Sequence, residues 1–145
     1  MMKREGDSWM SANNFGPSLS GIGINLLVPN IADSITFQST VFDIKIVYAD
    51  EDFAVVRGYD GQWLLHADRT YLDHPLGGIA IAAQGRGAGL EIRLYNANPD
   101  NAEQKARDHG YTILQGSADK PHGLRECYII DNDGYVWVPS AKLTH

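Results

Sequence analysis

The feature that most constrains this chain is an internal repeat. The segment GIGINLL at residues 21–27 matches GLEIRLY at 89–95, setting Gly21 against Gly89, Ile22 against Leu90, Ile24 against Ile92 and Leu26 against Leu94, with 89 − 21 = 68. A second match sets YDGQW at 59–63 against NDGYV at 132–136, so that Asp60 meets Asp133 and Gly61 meets Gly134, with 133 − 60 = 73. Two matches in the same order read as one unit used twice. The five-residue difference falls in the Gly-containing stretch 116–123, where an insertion costs little.

Each copy carries the same succession of elements. The leading segments alternate apolar and variable residues, the period of a strand with one packed face. A helix follows in each. The first opens at Asn30, an N-cap with Asp33 three residues on, and runs through Ile31, Ile35, Phe37 and Phe42. The second has Asn98 as cap and Pro99 at the first helical position, stops at His109-Gly110, and turns the small Ala102 and Ala106 inward. Three strands are expected after each helix: 44–48, 54–58 and 62–67 in the first copy, 112–114, 125–130 and 135–138 in the second. The Asp-Gly pairs close the last two strands of each copy into a hairpin. The expected fold is α+β: two tandem βαβββ units forming a curved mixed sheet around a cleft. The expected boundaries are a mobile polar leader at 1–18, a first unit at 19–68, a Gly/Pro-containing linker at 69–86, a second unit at 87–140 and a tail at 141–145.

Composition removes several classes of function. Twelve Lys and Arg against eighteen Asp and Glu give a net charge of −6, which disfavours a grip on nucleic acid phosphates and favours a cationic partner. The single cysteine, Cys127, excludes an internal disulfide and any zinc site with two thiolates; within an expected strand it reads as buried filler. There is no apolar run near the ~20 residues that span a bilayer, and the start has no apolar signal-peptide core, so a cytoplasmic protein is expected. G-x-S-x-G, Walker-type phosphate-loop and H-E-x-x-H motifs are all missing from the sequence.

Duplicated βαβββ units, with a strand-helix start INLLVPNIADSITFQ and an ending LRECYIIDNDGYVW, resemble the vicinal oxygen chelate superfamily, which includes glyoxalase I, extradiol dioxygenases, fosfomycin-modifying enzymes and bleomycin-resistance proteins. The resemblance covers residues 20–140. Enzymes of that superfamily hold a divalent metal with His, Gln or Glu from the first and last strand of each unit. Carried onto this chain, the ligand positions are Gly23, Leu65, Glu91 and Val138, of which only Glu91 can coordinate an ion. His66 enters only by a one-residue slip, and with Glu91 it makes two ligands where catalytic sites generally need three. The other histidines, His74, His109, His122 and His145, read as loop, helix-end or terminal residues. No metal, no cofactor and no catalytic residue is expected.

Binding is expected instead. Alternation turns Ile22, Ile24 and Leu26 toward the helix of the first unit, and Leu90, Ile92 and Leu94 toward that of the second. The cleft face then carries Trp63, Leu65, Glu91, Arg93 and Tyr95, with Phe53 and Val138 completing the candidate ligand-binding set. The run GLRECYIID at 123–131 resembles the bleomycin-resistance branch most, where G-x-R-E-aromatic-aromatic precedes D-x-D-G; Cys127 takes the first aromatic place. That resemblance implies a homodimer that sequesters a flat cationic antibiotic of bleomycin type without chemical change. The alternative is a glyoxalase- or dioxygenase-like metalloenzyme with displaced ligands.

Overall fold

A computed structural model of the chain describes residues 10–82 and 85–143. Its elements run α1 (Ala12–Ser18), β1 (Asn25–Val28), α2 (Ile31–Val41), β2 (Lys45–Ala49), β3 (Phe53–Gly58), β4 (Gly61–Ala67), a 3-10 turn (Asp68–Tyr71), α3 (Pro75–Ala82), β5 (Glu91–Tyr95), α4 (Pro99–Asp108), β6 (Thr112–Asp119), β7 (Leu124–Ile130) and β8 (Val136–Lys142). The strands form two four-stranded sheets of identical order, β1-β4-β3-β2 and β5-β8-β7-β6. In each sheet the first strand lies parallel to the last and the other pairs are antiparallel. The fold is α+β, built from two βαβββ repeats. No helix among the described residues is long and apolar enough to cross a membrane.

The helix signals act as their chemistry requires. The Asn30 side chain accepts a hydrogen bond from the Asp33 amide at 2.9 Å, and the Asn98 side chain accepts one from the Asn101 amide at 3.0 Å. Gly110 ends α4 at φ 77°, and Ala102 and Ala106 are buried where α4 packs on β6, β7 and β8. The two hairpins, alike in sequence, differ in geometry. Tyr59 and Asp60 both have positive φ, closing a two-residue turn between the paired Gly58 and Gly61. The second loop spans residues 131–135, between the paired Ile130 and Val136. It is organised by Asp131, whose carboxylate accepts hydrogen bonds from the amides of Asp133 (2.9 Å) and Tyr135 (3.0 Å) and from the Trp137 indole (2.9 Å). Burial nonetheless pushes the Asp131 pKa up, because these donors only partly offset its desolvation.

Several expectations are corrected. The leader is not structureless over its whole length: Ser11 caps α1, its hydroxyl accepting from the Asn14 amide at 3.3 Å, while residues 1–9 lie outside the described residues. The connector 69–86 holds most of a 3-10 turn and all of α3. Strand β6 continues past Leu114 to Asp119 through two register irregularities, and β8 continues past Val138 to Lys142. Ile22, Ile24 and Leu90 do not pack on a helix; they are 93%, 41% and 43% exposed, because β1 and β5 begin only at Asn25 and Glu91. His145 lies outside the described residues.

The chain divides into two compact units that do not follow the repeat boundary. Of the described residues, the first unit holds 10–35 and 44–82, and the second holds 36–43 and 85–143. The last part of α2 thus belongs to the second core, where Phe37 meets Tyr111 edge-on at 4.8 Å and Phe42 lies 5.5 Å from Trp137.

Within α3, two adjacent glycines separate close approach from open space. A Cβ on Gly77 would stand 1.9 Å from the Tyr71 carbonyl oxygen, whereas one on Gly78 would meet nothing within 4 Å. Gly77→Ala should therefore cost about 1–3 kcal/mol. Gly78→Ala should be neutral or stabilising by up to ~1 kcal/mol. Urea unfolding of the two variants checks this, and equal midpoints would contradict it.

Candidate functional site

The register between first and last strands decides which side chains share a face. In the first sheet Leu26 pairs with Leu65 and Leu65 with Ala54, while Trp63 pairs with Val56. All five are buried, Leu65 completely. On the opposite face Asn25 pairs with Leu64, and Leu27 with His66, which pairs in turn with Phe53. Leu65 and Trp63 therefore sit in the core face, not in the cleft face where alternation puts them. The equivalent pairs in the second sheet are Arg93 with Val138 and Tyr95 with Ser140, which itself faces Glu126.

These registers expose the alignment error. The caps Asn30 and Asn98 fix the first-strand offset at 98 − 30 = 68, so Asn25 corresponds to Arg93. The partner of Asn25 is Leu64 and the partner of Arg93 is Val138, giving 138 − 64 = 74 on the last strand. The counterpart of Val138 is Leu64, not Leu65, and the counterpart of Ser140 is His66. The longer second hairpin loop supplies the extra residue, and one residue is enough to exchange the faces.

In the first unit this face carries a cavity of about 530 Å³, lined by Phe15, Leu19, Tyr48, Phe53, Leu64 and His66 among others. Phe15, projecting from α1, meets Phe53 edge-on at 5.7 Å. The His66 ring lies between Phe53 at 5.2 Å and Tyr71 at 5.3 Å. Its Nε2 is buried and finds no hydrogen-bond partner, and burial lowers the His66 pKa, favouring the neutral ring. Asp50 at the rim organises its own loop: it accepts from the Tyr48 hydroxyl at 2.6 Å and from the Asp52 and Phe53 amides at 2.8 and 3.0 Å. A second cavity of about 890 Å³ shares Phe15, Leu19, Asn25 and Leu64 with the first and includes Trp63. Of the expected ligand residues, Phe53 lines the first cavity and Trp63 the second; Leu65 lines neither.

In the second unit the equivalent face is ionic. Arg93 hydrogen-bonds Glu91 at 2.7 Å, Glu126, and the Ser140 hydroxyl at 3.3 Å, and its guanidinium lies 5.7 Å from the Tyr95 ring centre. His122 Nε2 stands 3.3 Å from Glu126, and the Tyr128 hydroxyl donates to Glu126 at 3.4 Å. Burial alone would raise the Glu126 pKa, but hydrogen bonds from Arg93 and His122 outweigh it and hold the carboxyl below its usual value. Val138 is fully buried and Tyr95 is 53% exposed. Arg125, next to Glu126 in sequence, points to other partners: it forks onto Asp100 with two 2.8 Å contacts and reaches Asp119 at 2.9 Å. Cys127 is buried, and burial first, then the Glu103 charge, push its pKa up to about 11, so it is no nucleophile.

Sequence reasoning missed Phe15, Tyr48 and Leu64 in the cavity, and His122, Tyr128 and Ser140 in the ionic cluster. Ser11, a capping residue four positions before Phe15, was a usable signal for α1. The residues do not fit the metal that the resemblance implies: Gly23, Leu64, Leu65 and Val138 bring no donor atom. Among the described residues no group of three or more His, Cys, Asp or Glu could hold an ion.

Two outcomes follow. Arg93→Met strands the buried Glu126 and should cost about 3 kcal/mol. In urea unfolding, adding Glu126→Gln should recover part of that loss; a loss below about 1 kcal/mol would refute the pairing. His66 has its pKa depressed on folding, so its neutral form stabilises the native state above the ordinary value of 6.5, and stability falls as pH drops below it. His66→Phe should flatten stability in that window, and an unchanged slope would count against a buried neutral ring.

No family model and no curated protein matches the chain. Solved structures do match. A glyoxalase-related enzyme from Fulvimarina pelagi has a TM-score of 0.68 at 15% identity, covering 86% of this chain and 89% of that one. A glyoxalase/bleomycin resistance protein/dioxygenase from Nocardioides has a TM-score of 0.61 at 21% identity, covering 90% and 92%. A genomically encoded fosfomycin resistance protein from Listeria monocytogenes has a TM-score of 0.63 at 15% identity, covering 86% and 95%. At such identities the likeness is one of backbone, and it agrees with the duplicated strand order: the chain has the glyoxalase/bleomycin-resistance fold.

Proposed function

We propose that this protein binds a small, flat organic ligand non-covalently in the aromatic cavity of its first unit, without a metal and without chemical change. The carrying observation is the cavity itself. About 530 Å³ falls within the usual range for small-molecule sites, and its walls are aromatic and aliphatic with few polar groups. Aromatic walls favour planar ligands, stacked or edge-on. The second unit supports the choice by contrast, since its equivalent side chains hydrogen-bond one another and leave a flat ring little to stack on.

The net charge of −6 draws a cationic ligand in at long range. At the cavity rim Asp50 accepts three hydrogen bonds from neutral donors and keeps its negative charge, while Asp52 is paired with Arg69 at 2.5 Å. The flat apolar part of a ligand thus enters the cavity, and a positive group, as in an antibiotic of bleomycin type, stays at the rim near Asp50. A homodimer is part of the proposal as the resemblance implies it, but every residue lining the cavity belongs to one unit, so binding does not require a second copy.

Calorimetric titration with a bleomycin-type drug and with smaller planar aromatics should give saturable binding, and Phe53→Ala should weaken it about tenfold, the worth of a lost aromatic contact. Absence of binding by every planar compound would overturn the proposal. Protein purified without chelator should carry no stoichiometric transition metal; near one equivalent per chain would favour a metalloenzyme instead.

A further inference from the structure

The two cavities of the first unit share one wall. Met10, Phe15 and Leu19 line both, so residues 10–24 lie along the first sheet as a strap with space beneath it. The strap is lightly built. From Met10 to Asn25 every residue whose exposure is described is exposed, except Phe15, which is half-buried. The Asn14 and Phe15 amides donate to the Ser11 carbonyl at 3.0 and 2.8 Å, and the Leu19 amide donates to the Gly16 carbonyl at 3.1 Å. These bonds stay within the strap. Its helix α1 also contains Pro17, which has no amide hydrogen to donate. The strap meets the sheet where Phe15 packs edge-on against Phe53 at 5.7 Å, and at its end, where the Ile24 carbonyl accepts from the Leu64 amide at 2.9 Å. Between these points lie Gly21, at φ 74°, and Gly23, and a Cβ on either would meet nothing within 4 Å.

We infer that residues 10–24 are a lid on the binding cavity, which swings about Gly21 and Gly23 while Ile24 stays on the sheet, with Phe15 as the latch that closes it against Phe53. This rests on the binding function proposed above and adds how that site is entered and left. The cavity takes Phe15, Gly16 and Leu19 from the strap and Tyr48, Phe53 and Leu64 from the sheet. Parting Phe15 from Phe53 therefore opens it, and bringing the strap back packs a ring on the ligand. Little opposes the motion. A single edge-on ring contact is a weak hold, and a segment with few buried side chains and exposed hydrogen bonds opens at small cost. The hinge is free to turn because nothing packs on Gly21 or Gly23. Lids of this kind commonly set the rates of entry and release.

Hydrogen exchange and stopped-flow fluorescence on the full chain test the inference, with 2-methylnaphthalene and a bleomycin-type drug as probes. Without a probe, the amides of residues 11–23 should exchange about tenfold or more faster than those of β4, and a saturating probe should slow them by a similar factor. Phe15→Ala should raise the association and dissociation rates together, several-fold each, because the latch no longer holds the empty cavity shut. A fixed wall would raise dissociation alone. Gly21→Ala adds a methyl group in open space and disfavours the positive φ of the closed strap, so it should also speed association while every ring stays in place. Probe binding that leaves exchange at 11–23 unchanged, or an association rate unmoved by Phe15→Ala or by Gly21→Ala, would overturn the inference and leave the proposed function standing. Failure of both probes to bind would overturn the two together.

Discussion

Everything at the candidate site depends on the parallel pairing of first and last strand within each unit. That pairing fixes Asn25 opposite Leu64 in one sheet and Arg93 opposite Val138 in the other. Because side chains alternate along a strand, these two registers decide which residues meet and which are separated by the sheet itself. His66 joins Phe53 and Leu27 by this rule, while Leu65, one residue earlier, joins Ala54 and Leu26 in the core.

The same frame carries opposite chemistries in its two copies. The position of His66 in the first unit is that of Ser140 in the second, and their neighbours on the adjacent strand are Phe53 and Glu126. The second copy meets its own needs: Glu126, 2% exposed, is compensated by Arg93 and His122, and Arg93 reaches Glu91 and Ser140 as well. A buried ion pair of this kind fixes geometry and is costly to break from one side, but contributes modest net stability. In the first copy rings replace ions, and the buried Nε2 of His66 has no hydrogen-bond partner. The two copies thus carry one closed ionic network and one aromatic cavity.

The local elements were legible because their signals are local. Asn30 and Asn98 cap the expected helices, Ala102 and Ala106 turn inward, and the Asp-Gly pairs mark both hairpins. The faces of the sheets were not legible, because they hang on a loop length. The offset read from Asp60-Gly61 and Asp133-Gly134 ignores that a two-residue turn in one copy is a five-residue loop organised by Asp131 in the other. Two helices hid for different reasons. In α1, short polar residues and Pro17 masked a helix capped by Ser11, and in α3, Gly77 and Gly78 read as linker although Gly77 is what allows close packing on Tyr71. The Arg93–Glu126 contact joins residues 33 apart, and no periodicity reports such a pairing.

The acidity of the chain suggests a cation trap, yet the carboxylates near the candidate sites are already in use. Asp50 serves its own loop, Asp52 and Glu51 hold Arg69, Glu91 and Glu126 hold Arg93, and Asp100 and Asp119 hold Arg125. Two carboxylates against one guanidinium leave each cluster one negative charge, part of the chain's net −6. At physiological ionic strength that residual field decays over about 8 Å, so it raises the rate of encounter with a cation and cannot hold one in a defined pose. Selectivity has to come from shape and ring contact, both of which lie in the first unit.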